Sequence, residues 1–163
     1  MAEKALFRIA LSKAMARCSR REFCCDDIRT KLLSWEIDNN DADKIIGILI
    51  NENFINETRF ATAFVRDKFK YNKWGKVKIT AHLRVKKLPP EIITFALDSI
   101  DNKQYSKLLH DILEDHIRSV KAKNQYDLKV KLLRYGLSKG FESSLLYDIL
   151  NDMDYKRPES NKK

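Results

Sequence analysis

The densest chemistry in the chain lies in residues 56–88, NETRFATAFVRDKFKYNKWGKVKITAHLRVKKL, where Phe69, Tyr71 and Trp74 are interleaved with Lys68, Lys70, Lys73, Lys76 and Lys78. Ammonium groups attract phosphate, and aromatic rings stack on bases or pack on a partner. The pattern therefore suits binding of a polyanion better than a reaction. A structural reading of the same residues stands beside it. Phe60 and Phe64 fall at helical spacing and are expected in the core, while Tyr71 and Trp74, next to a helix junction, fit either role. Arg59, Arg66, Arg84, Lys86 and Lys87 extend the basic segment, and Lys121, Lys123, Lys129, Lys131 and Arg134 make a second basic run.

Nothing comparable points to catalysis. His82, His110 and His116 stand in no metal-binding spacing. Asp111, Asp115 and His116 share a charged helix and read as a solvated face. Cys24-Cys25 is not a CxxC pair and reads as a partly buried thiol site at a helix start. Gly47, Gly75, Gly136 and Gly140 are scattered, so no glycine-rich phosphate loop exists. The chain is read as non-enzymatic, with no catalytic residue, metal or cofactor.

The elements that must carry these residues are helical. Only four glycines and three prolines punctuate the 163 residues, and hydrophobic residues make up 44%, enough for a core. Ile28, Leu32 and Trp35 recur at i, i+4, i+7, Ile79 and Leu83 share a face, and so do Leu128, Leu132 and Tyr135. The spacing predicts nine helices, over 3–21, 25–35, 41–53, 57–71, 76–87, 90–100, 103–122, 126–138 and 142–153. Asn39, Asn40 and Asp41 are expected to cap the third, Asn56 the fourth, and Pro90 to open the sixth. Gly75 is expected to let the backbone turn at a corner closed by Trp74, and Gly140 to end the eighth helix.

Nine helices suggest three groups of three. Lys31-Leu32-Leu33 matches Lys131-Leu132-Leu133 at an offset of 100, and Ile79 and Leu83 follow Ile28 and Leu32 by 51. The expected units are 1–55, 56–101 and 102–154, with a disordered tail at 155–163. Charge follows the same period. The chain carries a net +9, and residues 64–90 hold nine Lys or Arg against Asp67 alone, whereas the third helix of each unit is acidic. Such a strip attracts phosphate backbones or an acidic protein face. No apolar run approaches the ~20 residues of a membrane span, no secretory signal is read at the start, and three cysteines make a poor disulfide framework. A cytoplasmic protein is expected.

The segment Phe54-Ile55-Asn56-Glu57-Thr58-Arg59-Phe60-Ala61-Thr62-Ala63-Phe64-Val65-Arg66, followed by Asn72-Lys73-Trp74-Gly75 and then Ile79, His82 and Leu83, resembles the central signature of the RecX family. Upstream, Arg21-Glu22 and Asp27 to Leu33 resemble the family's first-repeat pattern, and Pro90 to Leu97 its next helix. Three departures stand out. Cys24 replaces a capping Ser, Glu36 and Lys87 replace Gly after a helix, so those turns are expected to differ, and Lys76 replaces a Pro. The resemblance implies an all-α protein of three tandem three-helix repeats in an elongated, curved array. It implies a monomer that binds the groove of the filament formed by RecA on DNA, restrains ATP hydrolysis and strand exchange, and favours filament shortening. Weak, sequence-independent binding to single- or double-stranded DNA goes with it. Two other readings of the residues stay open: a direct DNA-binding protein of helix-turn-helix-like modules, and an interaction scaffold without a nucleic-acid role.

Overall fold

The computed structural model describes residues 2–153. Among them the regular elements are all helices: α1 Ala2–Arg20, α2 Cys25–Ser34, α3 Asn39–Asn51, α4 Glu57–Lys70, α5 Lys76–Val85, α6 Pro90–Leu97, α7 Asn102–Ser119, α8 Gln125–Ser138 and α9 Ser143–Asp152. The all-α expectation holds, and the tail read at 155–163 lies outside the described residues.

Local chemistry explains the helix starts. The first N–H groups of a helix have no partner within it, so a short polar side chain in front of them is stabilising. Asn56 Oδ1 accepts from Arg59 N at 2.9 Å and Asn124 Oδ1 from Asp127 N at 2.8 Å. For α3 the cap is Asp38, one residue before the expected Asn39–Asp41, and it accepts from Asp41 N at 2.8 Å. Its carboxylate both accepts the bond and complements the positive helix end. Cys24 does cap α2, with Sγ accepting from Asp27 N at 3.5 Å. Pro90 opens α6 as expected. The ends fall short of the periodicity: α6 stops at Leu97 and α7 at Ser119, where Val120 turns extended and Ser119 Oγ donates back to the carbonyl of His116.

The chain divides into two compact units. The first holds the residues up to Val65 together with His82–Leu97, and the second holds Arg66–Ala81 together with the residues from Asp98 on. In the first, α1, α2 and α3 pack on one another around Ala10, Ala14, Ile28, Leu32, Ile45 and Leu49, all essentially inaccessible. In the second, α7, α8 and α9 pack on one another, with Leu109, Leu113, Leu132, Leu146 and Leu150 buried. Each buried leucine or isoleucine contributes roughly 1.5–3 kcal/mol of transfer free energy. Of the two phenylalanines expected in the core, Phe60 is buried and Phe64 is only half-buried, its ring centroid 5.8 Å from that of Phe60.

Four helices are followed by a left-handed residue that is not glycine: Glu36, Asn53, Lys73 and Lys87, with φ of 64°, 61°, 57° and 61°. The expectation that the turns at Glu36 and Lys87 would change shape is not met. These residues adopt the conformation a glycine would supply, at a cost of roughly 1 kcal/mol each. Glu36→Gly and Lys87→Gly are therefore expected to raise the unfolding free energy, measured by urea titration, by up to about 1 kcal/mol each, the gain being trimmed by the greater chain entropy of glycine. The Lys87–Asp26 ion pair lost in the second variant is solvent-screened at 3.6 Å and adds little.

Candidate functional site

The second unit contains a corner that gathers most of the lysine-rich segment. The last turn of α4, residues 71–75 and the start of α5 meet the chain between α8 and α9. The first N–H groups of α5 find partners there rather than in a side-chain cap of their own. Gly75 N donates to the carbonyl of Lys139 at 2.8 Å, Val77 N to that of Gly140 at 2.9 Å, and Lys76 N to the hydroxyl of Tyr105 at 2.9 Å. That hydroxyl in turn donates to Glu142 Oε1 at 2.6 Å, and its ring lies against Phe69 and Phe141. Burial, and then the bond to Glu142, push the Tyr105 hydroxyl far above its ordinary titration range.

Gly75 has an ordinary φ, so the expected reason for it is corrected. A Cβ there would overlap the backbone of Gly140 and Phe141; glycine is required for close approach rather than for a turn. Gly140 is the left-handed residue, with φ of 90°, and a Cβ on it would overlap Lys78. It follows the end of α8, as expected.

Around this corner stand Lys68 and Lys78, whose Nζ atoms lie 5.0 and 4.6 Å from the centroid of the half-buried Trp74 ring. Lys76 Nζ lies 4.9 Å from the Tyr105 ring, and Lys70 Nζ 5.3 Å from the ring of Tyr71, which is 71% exposed. Lys73 is exposed, and Arg66 is exposed beside Asp67 at 3.6 Å. Lys139, absent from the expected site, belongs here. Its Nζ donates to the carbonyl of Asn72 at 2.9 Å, and burial together with the charges of Lys78 and Lys73 lowers its pKa. The sequence clue to it is its place beside Gly140 at the end of the second basic run.

The remaining expected residues divide. In the first unit Arg59 is engaged internally: Nε meets Glu22 Oε1 at 2.5 Å, and its other nitrogens reach Asn53 and the carbonyl of Phe54. Lys86 is held by Asp27 at 2.7 Å and lies over Phe60. Lys87 is 79% exposed in its side chain despite its contact with Asp26, and Arg84 is exposed. In the second unit's other run, Lys131 is occupied by Asp127 and the carbonyl of Lys121, and Lys129 by Asn151, while Lys121, Lys123 and Arg134 are exposed.

His116, expected on a solvated face with Asp111 and Asp115, instead stacks on Tyr135 with ring centroids 3.8 Å apart, and burial lowers its pKa. A different trio, His110, Asp111 and Glu114, comes together on the outer face of α7, with one side-chain N or O atom of each within 4.8 Å of the others. Lys107 approaches the same Asp111 at 4.0 Å.

Burial disfavours the reactive thiolate form of the cysteines. Cys24 is fully buried, and burial pushes its thiol up to about 12; Cys25 rises to about 12 through burial and a hydrogen bond to Glu57. A neutral thiol favoured by the fold supports stability up to the unfolded value of 9.0, and that contribution fades as pH rises toward 12. Denaturant stability is expected to fall above about pH 9. In a native disulfide-exchange assay near pH 8, Cys24 should react last and only as fast as the protein opens.

The family model described as "RecX, second three-helix domain" matches residues 56–97, which supply the α4–α5 side of this corner and Arg59 and Lys86 of the first unit. The chain is 30% identical over 126 residues to the regulatory protein RecX of Clostridium beijerinckii, covering 76% of this chain and 58% of that one. The chain is similar to RecX proteins over most of its length. The regulatory protein RecX of Lactococcus lactis is 29% identical over 138 residues, covering 83% of this chain and 51% of its own. The chain thus spans a little over half the length of the curated RecX relatives it matches. The crystal structure of RecX from Lactobacillus salivarius superposes with a TM-score of 0.82 at 20% identity, over 94% of this chain and 99% of that one. A second RecX crystal structure gives 0.84 at 22%, over 93% and 74%. At these identities the superpositions show the RecX fold. No helix among the described residues is long and apolar enough to cross a membrane.

Proposed function

We propose that this chain is a regulator of the RecA recombinase that binds the RecA–DNA filament in its groove and chiefly inhibits ATP hydrolysis, strand exchange and filament growth. The observation that carries the reading is the lysine corner, most of whose cations lie in the segment matched to the RecX domain and gather around Trp74. A filament of protein on DNA presents phosphate and acidic side chains along one continuous groove, and a row of cations suits both. The nine helices of the described residues act as three units of three, in a cytoplasmic monomer without cofactor or catalytic role.

The test is single-strand-dependent ATP hydrolysis by the cognate RecA with this protein titrated in below the RecA concentration. Substoichiometric inhibition is expected. No effect from folded protein would overturn the reading and favour direct DNA binding, since the same cations serve phosphate without RecA. A repressor built of helix-turn-helix-like units would favour one duplex sequence by orders of magnitude, whereas a phosphate-tracking surface shows little preference.

A further inference from the structure

We infer that Lys73, Lys78 and Lys139 form a phosphate seat for single-stranded nucleic acid, with Tyr71 as the adjoining platform for a base. The inference deepens the filament reading and rests on it only for where the strand is met; the seat itself is built entirely within the second unit.

The backbone fixes the roots of two of these lysines together. Lys139 accepts from Gly75 N through its carbonyl, and the next residue, Gly140, packs so closely on Lys78 that no side chain fits between them. The Lys139 ammonium is then tied to the carbonyl of Asn72, the residue before Lys73. Lys73 leaves the chain from a left-handed turn, and Lys78 reaches over the Trp74 ring. Among the described residues no carboxylate lies within ion-pair distance of Lys73, Lys78 or Lys139. That contrasts with the first unit, where Arg59 and Lys86 each meet an acid. The depressed pKa of Lys139, caused by burial and by Lys78 and Lys73, records the same crowding.

Like charges held together without a counter-charge are unfavourable, and an external anion relieves them. Phosphate, with several oxygens around one centre, meets converging ammonium groups from different directions. Tyr71 narrows the ligand further. Its ring is 71% exposed, next in sequence to Asn72, with Lys70 alongside. An acidic peptide would use the cations and leave the ring idle, whereas a nucleotide uses both. A base offers its face to such a ring only where it is unstacked, which favours a single strand over a duplex.

The experiment uses the full chain and a fluorescein-labelled oligothymidylate of about 12 nucleotides, with anisotropy read over a range of salt. An abasic phosphodiester of the same length serves as the second ligand. Wild-type protein should bind the thymidylate more tightly than the abasic strand. Lys139→Gln should weaken thymidylate binding about tenfold and lower the salt slope by about 0.7, with unchanged helicity, whereas Lys44→Gln on α3 should alter neither. Tyr71→Ala should abolish the preference for thymidylate while keeping abasic binding. Wild-type affinity and slope in Lys139→Gln would overturn the seat. Equal wild-type affinity for the two strands would overturn the platform. Running RecA ATP hydrolysis in parallel separates the two ideas. Inhibition without oligonucleotide binding sinks the seat and leaves the regulator, and binding without inhibition does the reverse.

Discussion

Replacing Lys70 and Lys78 by Glu and Lys76 by Gln in one variant is expected to weaken binding to the RecA filament on the order of a hundredfold at physiological salt. On the proposed reading each lost cation removes a phosphate contact and the counterion release that goes with it, and each new carboxylate repels the same groove. Glutamine is used at Lys76 because its side chain lies over Tyr105, whose hydroxyl meets Glu142, and a second carboxylate there would disturb the fold. Helicity should survive. Lys78 falls in the first turn of α5, where a carboxylate suits the helix dipole, and Lys70 is exposed. What is lost structurally is three contacts with aromatic faces, Lys70 on Tyr71, Lys76 on Tyr105 and Lys78 on Trp74, each worth about 0.5–1 kcal/mol at such exposure. Circular dichroism together with filament co-sedimentation checks the outcome. Unimpaired binding by the folded variant would remove this corner from the interface.

That corner was partly readable in advance. Helical spacing placed all nine helices of residues 2–153 to within a few residues, because Ile28, Leu32, Leu128 and Leu132 repeat with the period of a buried face. The basic segment was visible as composition. What composition cannot show is which cations are neutralised. Arg59 and Lys86 were indistinguishable in sequence from Lys70 and Lys78, yet their partners, Glu22 and Asp27, lie 37 and 59 residues away. Lys139 escaped for the converse reason. It lies 67 residues from Asn72 and is brought to it only by packing within the second unit. Gly75 was noticed for the right identity and the wrong reason, since a close backbone approach leaves no mark on local sequence.

Gly140→Ala is expected to be the most damaging small substitution in the chain, costing about 3 kcal/mol or more. Two penalties add. The residue must hold a φ of 90°, which L side chains rarely adopt, and its Cβ would enter the space of Lys78, including backbone atoms that cannot rotate away. Relief by backbone movement would break the Val77–Gly140 and Gly75–Lys139 hydrogen bonds and leave donors of α5 unpaired. Gly75→Ala meets the same backbone from the other side and should be similarly severe. Gly136→Ala meets only the tip of Leu146 and should cost less. Gly47→Ala is the control: nothing lies within 4 Å of its added carbon, and inside α3 alanine should stabilise by up to about 1 kcal/mol. Urea unfolding of the four variants, followed by circular dichroism, gives the ranking. A Gly140→Ala protein as stable as wild type would show that the α5 start does not depend on this contact.

The second unit takes in Arg66–Ala81 and then nothing more until Asp98, so its parts are not contiguous in the chain. During synthesis the N-terminal end of α5 leaves the ribosome well before Tyr105, Lys139 and Gly140, the groups that satisfy its first amides. The nascent chain must carry those amides in water until α8 and α9 have emerged. For the same reason a fragment beginning at Asp98 would keep three helices but lose the strand of contacts that holds the Gly140 turn, and a fragment ending at Leu97 would expose that turn's missing half. Neither half of this chain is a natural place to cut.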